Sequence, residues 1–293
     1  MATPNPATSA PSASPSQTVT SALSYGDFFL TNLSQSFATI NSDNQADTSA
    51  TADGGTATVY NNAVVETDDT KVLTFATSSA SGENKDFFAL AETHAIIVGN
   101  LFIDAGKTLS FNFTSTLDLE TLKNASQQID NASAIREVSF FLYDTSDIAK
   151  ENLPDYLANL LSDPDSIEKK PLVFFSLSGN LNTSGNDNFL TSKKSENVTI
   201  SSELKDSNFA GTQKFASIFV RGSVKRSFNN QANITLVALR RGQARVTAPE
   251  PSPTLTLRST KPKLLGVATQ GRRQGATSNR FSDRKTMKVT VGK

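Results

Sequence analysis

One histidine, His94 in "LAETHAIIVGNLFI", is the only side chain with an ordinary pKa suited to proton transfer near neutral pH. A hydrolytic relay would pair it with one of the many serines and aspartates. No serine, however, sits in the glycine-flanked elbow that exposes such a nucleophile. A lone histidine on a strand reads as structural. The chain has no cysteine, which removes thiol nucleophiles, disulfides and thiolate metal sites. A zinc centre needs more ligands than one histidine supplies. Carboxylates are too scattered to propose a glycosidase pair, and no glycine-rich phosphate cradle opens a helix. The expectation is a protein without enzymatic activity.

Oxygen ligands are more plentiful. "NSDNQADTSATADGG" contributes Asp43, Asp47 and Asp53, and "VETDDTK" contributes Glu66, Asp68 and Asp69. "GNLNTSGNDNF" adds Asn186, Asp187 and Asn188. Calcium takes six to eight oxygens from loops of this kind. Neither an EF-hand pattern nor a GGxGxD repeat accompanies them. Ordinary polar turns explain the same residues, so calcium is one option and no other cofactor is expected. Seven Asn-x-Ser/Thr triplets, among them Asn112-Phe113-Thr114, fit chance in a chain this rich in those residues.

The elements that would position these groups alternate with period two. In "TLSFNFTSTLDLE", Leu109, Phe111, Phe113, Leu117 and Leu119 share one face with Ser115, and Ser110, Asn112, Thr114, Thr116, Asp118 and Glu120 share the other. That is a strand with one buried and one wet face. "REVSFFLYD" (Arg136–Asp144) and "PLVFFSLSG" (Pro171–Gly179) are apolar on both faces, as central strands are. "NVTISSEL", "QKFASIFVRGSV" and "NITLVALRRGQARV" continue the series, with turns at "DAG" and "FNNQAN". A polar stretch from Asn41 to Thr58 carries a turn at Gly54-Gly55. "TLKNASQQIDNASAI" (Thr121–Ile135) reads as a loop or a short helix.

One segment breaks the alternation. In "SDIAKENLPDYLANLLSDPDSIEKK" (Ser146–Lys170), Leu153, Tyr156, Leu157, Leu160 and Leu161 fall at helical spacing. Ser146 or Asp147 can cap a first turn, and Asp163-Pro164 ends the pattern. This predicts an amphipathic helix inserted between two central strands, packed over a sheet edge or an end of the sandwich. A partner-binding helix is the alternative. The fold expected is therefore all-β, an antiparallel, jelly-roll-like sandwich with one inserted helix.

Three regions follow from composition. Residues 1–24 read as a disordered Ala/Ser/Thr/Pro-rich leader without the apolar core of a signal peptide. Residues 25–246 form the sandwich. Residues 247–293 form a basic, largely disordered tail. From Val246 to Lys293 ten Lys and Arg oppose Glu250 and Asp283, a balance of +8, so the preceding residues carry −8. Such a tail can meet polyanions. Only Phe281 is interleaved and no nucleic-acid module is recognisable, so no nucleic-acid partner is expected. No apolar run approaches the length of a transmembrane helix.

Directly after the last predicted strand stands Pro249-Glu250-Pro251-Ser252. A Pro-Glu-Pro-Ser following a Cys-free β-sandwich resembles the C-terminal signal of bacterial PEP-CTERM sorting-domain proteins. "GKTLSFNFTSTLDLET", "REVSFFLYD" and "FFSLSGNLNTSGNDNF" look like strand sequences of a subgroup of that family. The resemblance implies recognition by an exosortase-type sorting machinery, and an exported protein of the cell surface or the extracellular, biofilm-associated matrix. Exopolysaccharide would be its surroundings. The sequence departs from the pattern where the sorting helix should begin. Pro253, Arg258, Lys261, Pro262 and Lys263 interrupt it, and only "LLGVA" before Arg272-Arg273 matches the expected apolar segment and basic end. A carbohydrate-binding sandwich, assisted by calcium, is the second expectation. It would be favoured by exposed Tyr60 or by Phe residues aligned on one sheet face.

Overall fold

The structure is a computed structural model. It describes residues 19–53, 55–68, 71–84, 86–124, 130–149, 151–156 and 170–248, and the backbone of a strand at 285–290. Strands dominate, and two antiparallel sheets face each other.

The strands are β1 (Val19–Thr31), β2 (Phe37–Ala52), β3 (Gly55–Thr67), β4 (Val72–Asn84), β5 (Phe87–Ile103) and β6 (Thr108–Leu122). They continue with β7 (Asn131–Asp144), β8 (Val173–Asn182), β9 (Phe189–Lys194), β10 (Val198–Asn208), β11 (Gln213–Ser227), β12 (Ala232–Thr247) and β13 (Lys285–Thr290). The first sheet runs β10-β11-β6-β1-β4-β3, with β13 added at the β3 edge, and the second runs β2-β5-β12-β7-β8-β9. The central strands of the second sheet are thus β12 and β7, and those of the first are β6 and β1.

Alternation builds the core. On β6, Leu109, Phe111, Phe113, Leu117 and Leu119 are buried while the intervening polar residues face outward. Phe28, Phe111, Phe113, Phe140 and Phe175 meet between the sheets, with ring centroids 4.8 to 6.1 Å apart. Tilted, edge-on and offset contacts of this kind add to what burial alone contributes.

Three expectations need correction. The leader was expected to reach residue 24, but β1 begins at Val19, because Thr20, Ala22 and Ser24 already alternate inward. Small polar residues hide a strand in a composition that looks disordered. Within Thr121–Ile135, Asn131–Ile135 belongs to β7, where Ala132 and Ala134 are buried. The described part of the inserted segment covers a sheet face and not an edge or an end, while Leu157, Leu160 and Leu161 lie outside the described residues. A helical turn at 153–156 follows Ser146, whose N–H and hydroxyl both donate to Asp144 Oδ1 (3.0 and 2.6 Å). Leu153 and Tyr156 pack with Phe141 on Ile96, Val98, Tyr143, Val237 and Leu239. This cluster is the outer face of β5, β12 and β7, which explains why those strands are apolar on both sides. No helix of the described residues is long and apolar enough to cross a membrane.

Two arginines enter the space between the sheets. Arg136 and Arg240 are both fully buried. Arg136 donates from Nε to Ser24 Oγ (2.9 Å), from Nη1 to Thr93 Oγ1 (3.1 Å) and from Nη2 to the Ser24 carbonyl. Glycine makes the room: a Cβ on Gly242 would stand 2.1 Å from Arg136 Cζ.

Candidate functional site

The outer face of the second sheet divides in two. Beside the patch under the helical turn it becomes polar. Cross-strand pairing aligns Gln45, His94, Arg241 and Glu137 in one row, and Asp47, Glu92, Gln243 and Ile135 in the next. These residues line an open groove of about 430 Å³. Gln243 Nε2 donates to Glu92 Oε1 (2.7 Å), and Ser139 Oγ donates to Glu137 Oε1 (2.7 Å).

His94 sits in this groove. Burial, and then the Arg241 guanidinium, push its pKa down to about 4. Its ring is therefore neutral at pH 7. Its Nε2 is buried and finds no hydrogen-bond partner among the described residues. A relay needs that nitrogen to face a nucleophile or an orienting carboxylate, and among the described residues no hydrogen bond joins it to either. The groove is a mixed-charge surface lined by Asp47, Glu92, Glu137, His94 and Arg241.

The outer face of the first sheet has a different character. One row across β10, β11, β6, β1, β4 and β3 reads Leu204, Phe219, Thr116, Asp27, Phe75, Val64. The flanking row places Ser217, Asp118 and Tyr25 side by side, and the row on the other flank places Arg221, Thr114 and Phe29. Phe29 is 37% exposed and Leu204 67% exposed, and Phe75, Phe219 and Tyr25 are half-buried.

The polar groups among these rings are fixed. Tyr25 Oη donates to Asp27 Oδ2 (2.9 Å), and the Thr116 N–H donates to Asp27 Oδ1 (3.0 Å). Ser217 Oγ donates to Asp118 Oδ1. Burial raises the Asp118 carboxyl above its ordinary range, against the Ser217 hydrogen bond that lowers it, and Asp27 raises it further. Burial and then Asp27 push the Tyr25 hydroxyl up to about 12. The hydroxyl is therefore protonated at any physiological pH and donates steadily. Beside this patch Phe29, Asn112, Thr114, Ser201, Arg221 and Ser223 line a recess of about 410 Å³. A register shift between Ile200 and Ser202 turns Ser201 out of the β10 ladder, and its hydroxyl donates to the Arg221 carbonyl (3.1 Å).

The candidates for calcium fall apart in space. Asp43 and Asp47 lie on β2, opposite Ile96 and Glu92, and not in a loop. Asp53 is in the turn before β3, Asp68 follows β3, and Asp187 lies between β8 and β9. Asp69 lies outside the described residues. Among the described residues no three His, Asp or Glu side chains form a group that could hold a metal ion. Pro249, Glu250, Pro251 and Ser252 also lie outside the described residues; β12 ends at Thr247, two residues before the motif.

Reading the sequence missed the aromatic face. Phe75, Phe219 and Phe29 stand at outward positions of strands whose inward positions are also apolar, so alternation alone does not mark them. The signal was present as phase: Phe29 and Phe75 fall on the same side as Asp27 and Thr77. In comparison with known proteins, no family model, no curated protein and no solved structure matches the chain.

Proposed function

We propose that this chain is a non-enzymatic, exported protein of the cell surface or extracellular matrix, and that its sandwich binds polysaccharide through the outer face of the first sheet. One observation carries the binding reading. Phe29, Phe75 and Phe219 present partly exposed rings on adjacent and near-adjacent strands, interleaved with Asp27, Asp118, Thr114, Thr116 and Tyr25. The C–H faces of sugar rings rest on aromatic surfaces, and their hydroxyls need fixed acceptors and donors alongside. Phe219 and Phe75 are three strands apart, about 14 Å. That span suits an extended chain of sugar rings better than a single sugar. Matrix association and sorting rest on the Pro249 to Ser252 motif and its place directly after β12, through the resemblance to exosortase substrates.

Two measurements test this reading. Affinity electrophoresis in acidic and neutral bacterial exopolysaccharides, with and without calcium, is expected to retard the wild-type chain. The Phe29→Ala/Phe219→Ala double variant should lose at least tenfold in affinity with an unchanged melting temperature. Silence of the wild type on all of these polymers would remove the binding reading. Fractionation of cells expressing the native gene is expected to place the protein outside the cytoplasm, and a wholly cytoplasmic protein would remove the sorting reading.

A further inference from the structure

Arg240 has a full set of donors and no acceptor. Its Nε, Nη1 and Nη2 are buried and find no hydrogen-bond partner among the described residues. Its guanidinium lies over the Phe28 ring, 5.2 Å from Cζ to the centroid, which compensates weakly for lost water. Thr74, paired with Phe28 on β4, has a buried Oγ1 that is likewise without a partner.

Among the described residues no carboxylate is hydrogen-bonded to this charge. Arg136, the second buried cation, has its hydrogen bonds to neutral oxygens of Ser24 and Thr93. The buried carboxylate among the described residues, Asp130, precedes Arg136 by six positions, about 20 Å along the strand, and accepts from Thr20 Oγ1. Asp27 acts on Arg240 through space and raises its pKa, but its carboxylate is held on the opposite face of β1 by Tyr25 and the Thr116 N–H. Burial lowers the Arg240 pKa only to about 9, so the cation persists at neutral pH. A buried cation with none of its donors satisfied is among the costliest features a fold can carry.

We propose that the sandwich interior binds a small monovalent anion of chloride size, held by the Arg240 guanidinium and the Thr74 hydroxyl. Water accepts hydrogen bonds but leaves the charge, whereas a halide does both and needs only donors around it. The inward neighbours of Arg240 include small side chains, since it pairs with Ala95 on one side and Val138 on the other and follows Ala238 on its own strand, while the room over Gly242 is taken by Arg136. The site is enclosed between the sheets, so the ion enters as the sandwich closes.

The test uses the full chain, unfolded and refolded in sodium chloride, sodium bromide or sodium sulfate. Crystals of the bromide-refolded protein should show a bromine anomalous peak against Arg240. The wild-type Tm should rise by about 3–5 °C for each tenfold increase in chloride above the dissociation constant, from the mass-action term and the usual entropy of a domain this size. Arg240→Met keeps the volume without the charge and should lack that chloride dependence. Thr74→Val should show a weaker one. Sulfate acts by exclusion from the surface, so it should raise all three proteins equally. No anomalous peak, ordered water alone at the site, or a chloride response shared by Arg240→Met would each overturn the proposal.

Discussion

Arg240 and Arg241 are consecutive on β12, so the two-residue alternation of a strand sends one guanidinium inward and the other to the groove beside His94. In sequence the pair looks like a charged strand end. Phase distinguishes them: Ala238, Arg240, Gly242 and Ala244 share the parity of Ile234 and Leu236, which are buried. The same parity places Arg136 with Ala134 and Val138. Both buried arginines were thus legible as inward positions, but nothing local says that an inward arginine will be tolerated. That depends on small residues around them: Gly242 and Ala95 beside them on neighbouring strands of the same sheet, and Gly26 facing Arg136 from the other sheet. His94 carries a consequence of burial, and then of Arg241. Its pKa is about 4 in the fold against an ordinary 6.5. Between these values the unfolded chain takes up a proton that the folded chain refuses, so stability is full above pH 6.5 and falls as the pH drops towards 4. The His94 share of that loss is up to about 3 kcal/mol. Urea unfolding of wild type and His94→Gln, compared at pH 7 and pH 4, should show the smaller acid loss in the variant. Asp118 and Asp130, whose carboxyls are raised by burial, titrate equally in both proteins and cancel in the difference.

Among the elements, the strands that alternate cleanly were the readable ones. β6, β10, β11 and β12 all fall within or across the segments marked by period two. β2 was not readable. It is an edge strand, paired only with β5, and it is polar along both faces because much of it meets water. Its ladder of backbone hydrogen bonds, invisible to a hydrophobic pattern, makes it a strand. Edge strands of this composition resist pairing with other chains. The inserted turn at 153–156 was readable from its leucine spacing, and its docking place was not, since the apolar outer face of β5, β12 and β7 assembles only when those strands pair. Leu153→Ala should cost about 1–2 kcal/mol, below the full-burial range because the residue is only partly buried. Leu153→Asp should add dye binding to the uncovered patch of Ile96, Val237 and Leu239. Retention of wild-type stability in both variants would show that the turn does not cover that face.

For the whole molecule, the aromatic face, the polar groove and the arginine layer all depend on strands distant in sequence. β1 lies between β4 and β6, and β12 lies between β5 and β7. The first strand of the described chain and the last strand before the motif are therefore both central. A chain ending at Ala248 keeps every strand of both sheets except β13 and should melt cooperatively. A chain ending at Gln231 removes β12, exposes the inner edges of β5 and β7, and should give no cooperative transition by circular dichroism. Equal melting of the two would contradict the placement of β12.

The same arrangement sets a schedule. Among the described strands synthesis delivers β1 first, and the second sheet cannot be completed until β12 has emerged. Until residue 247 leaves the ribosome, the second sheet is two separate halves with a gap where β12 belongs. The second sheet therefore stays open through most of synthesis, and the strand that closes it arrives just before Pro-Glu-Pro-Ser. Completion of the second sheet and emergence of that motif become nearly one event in time.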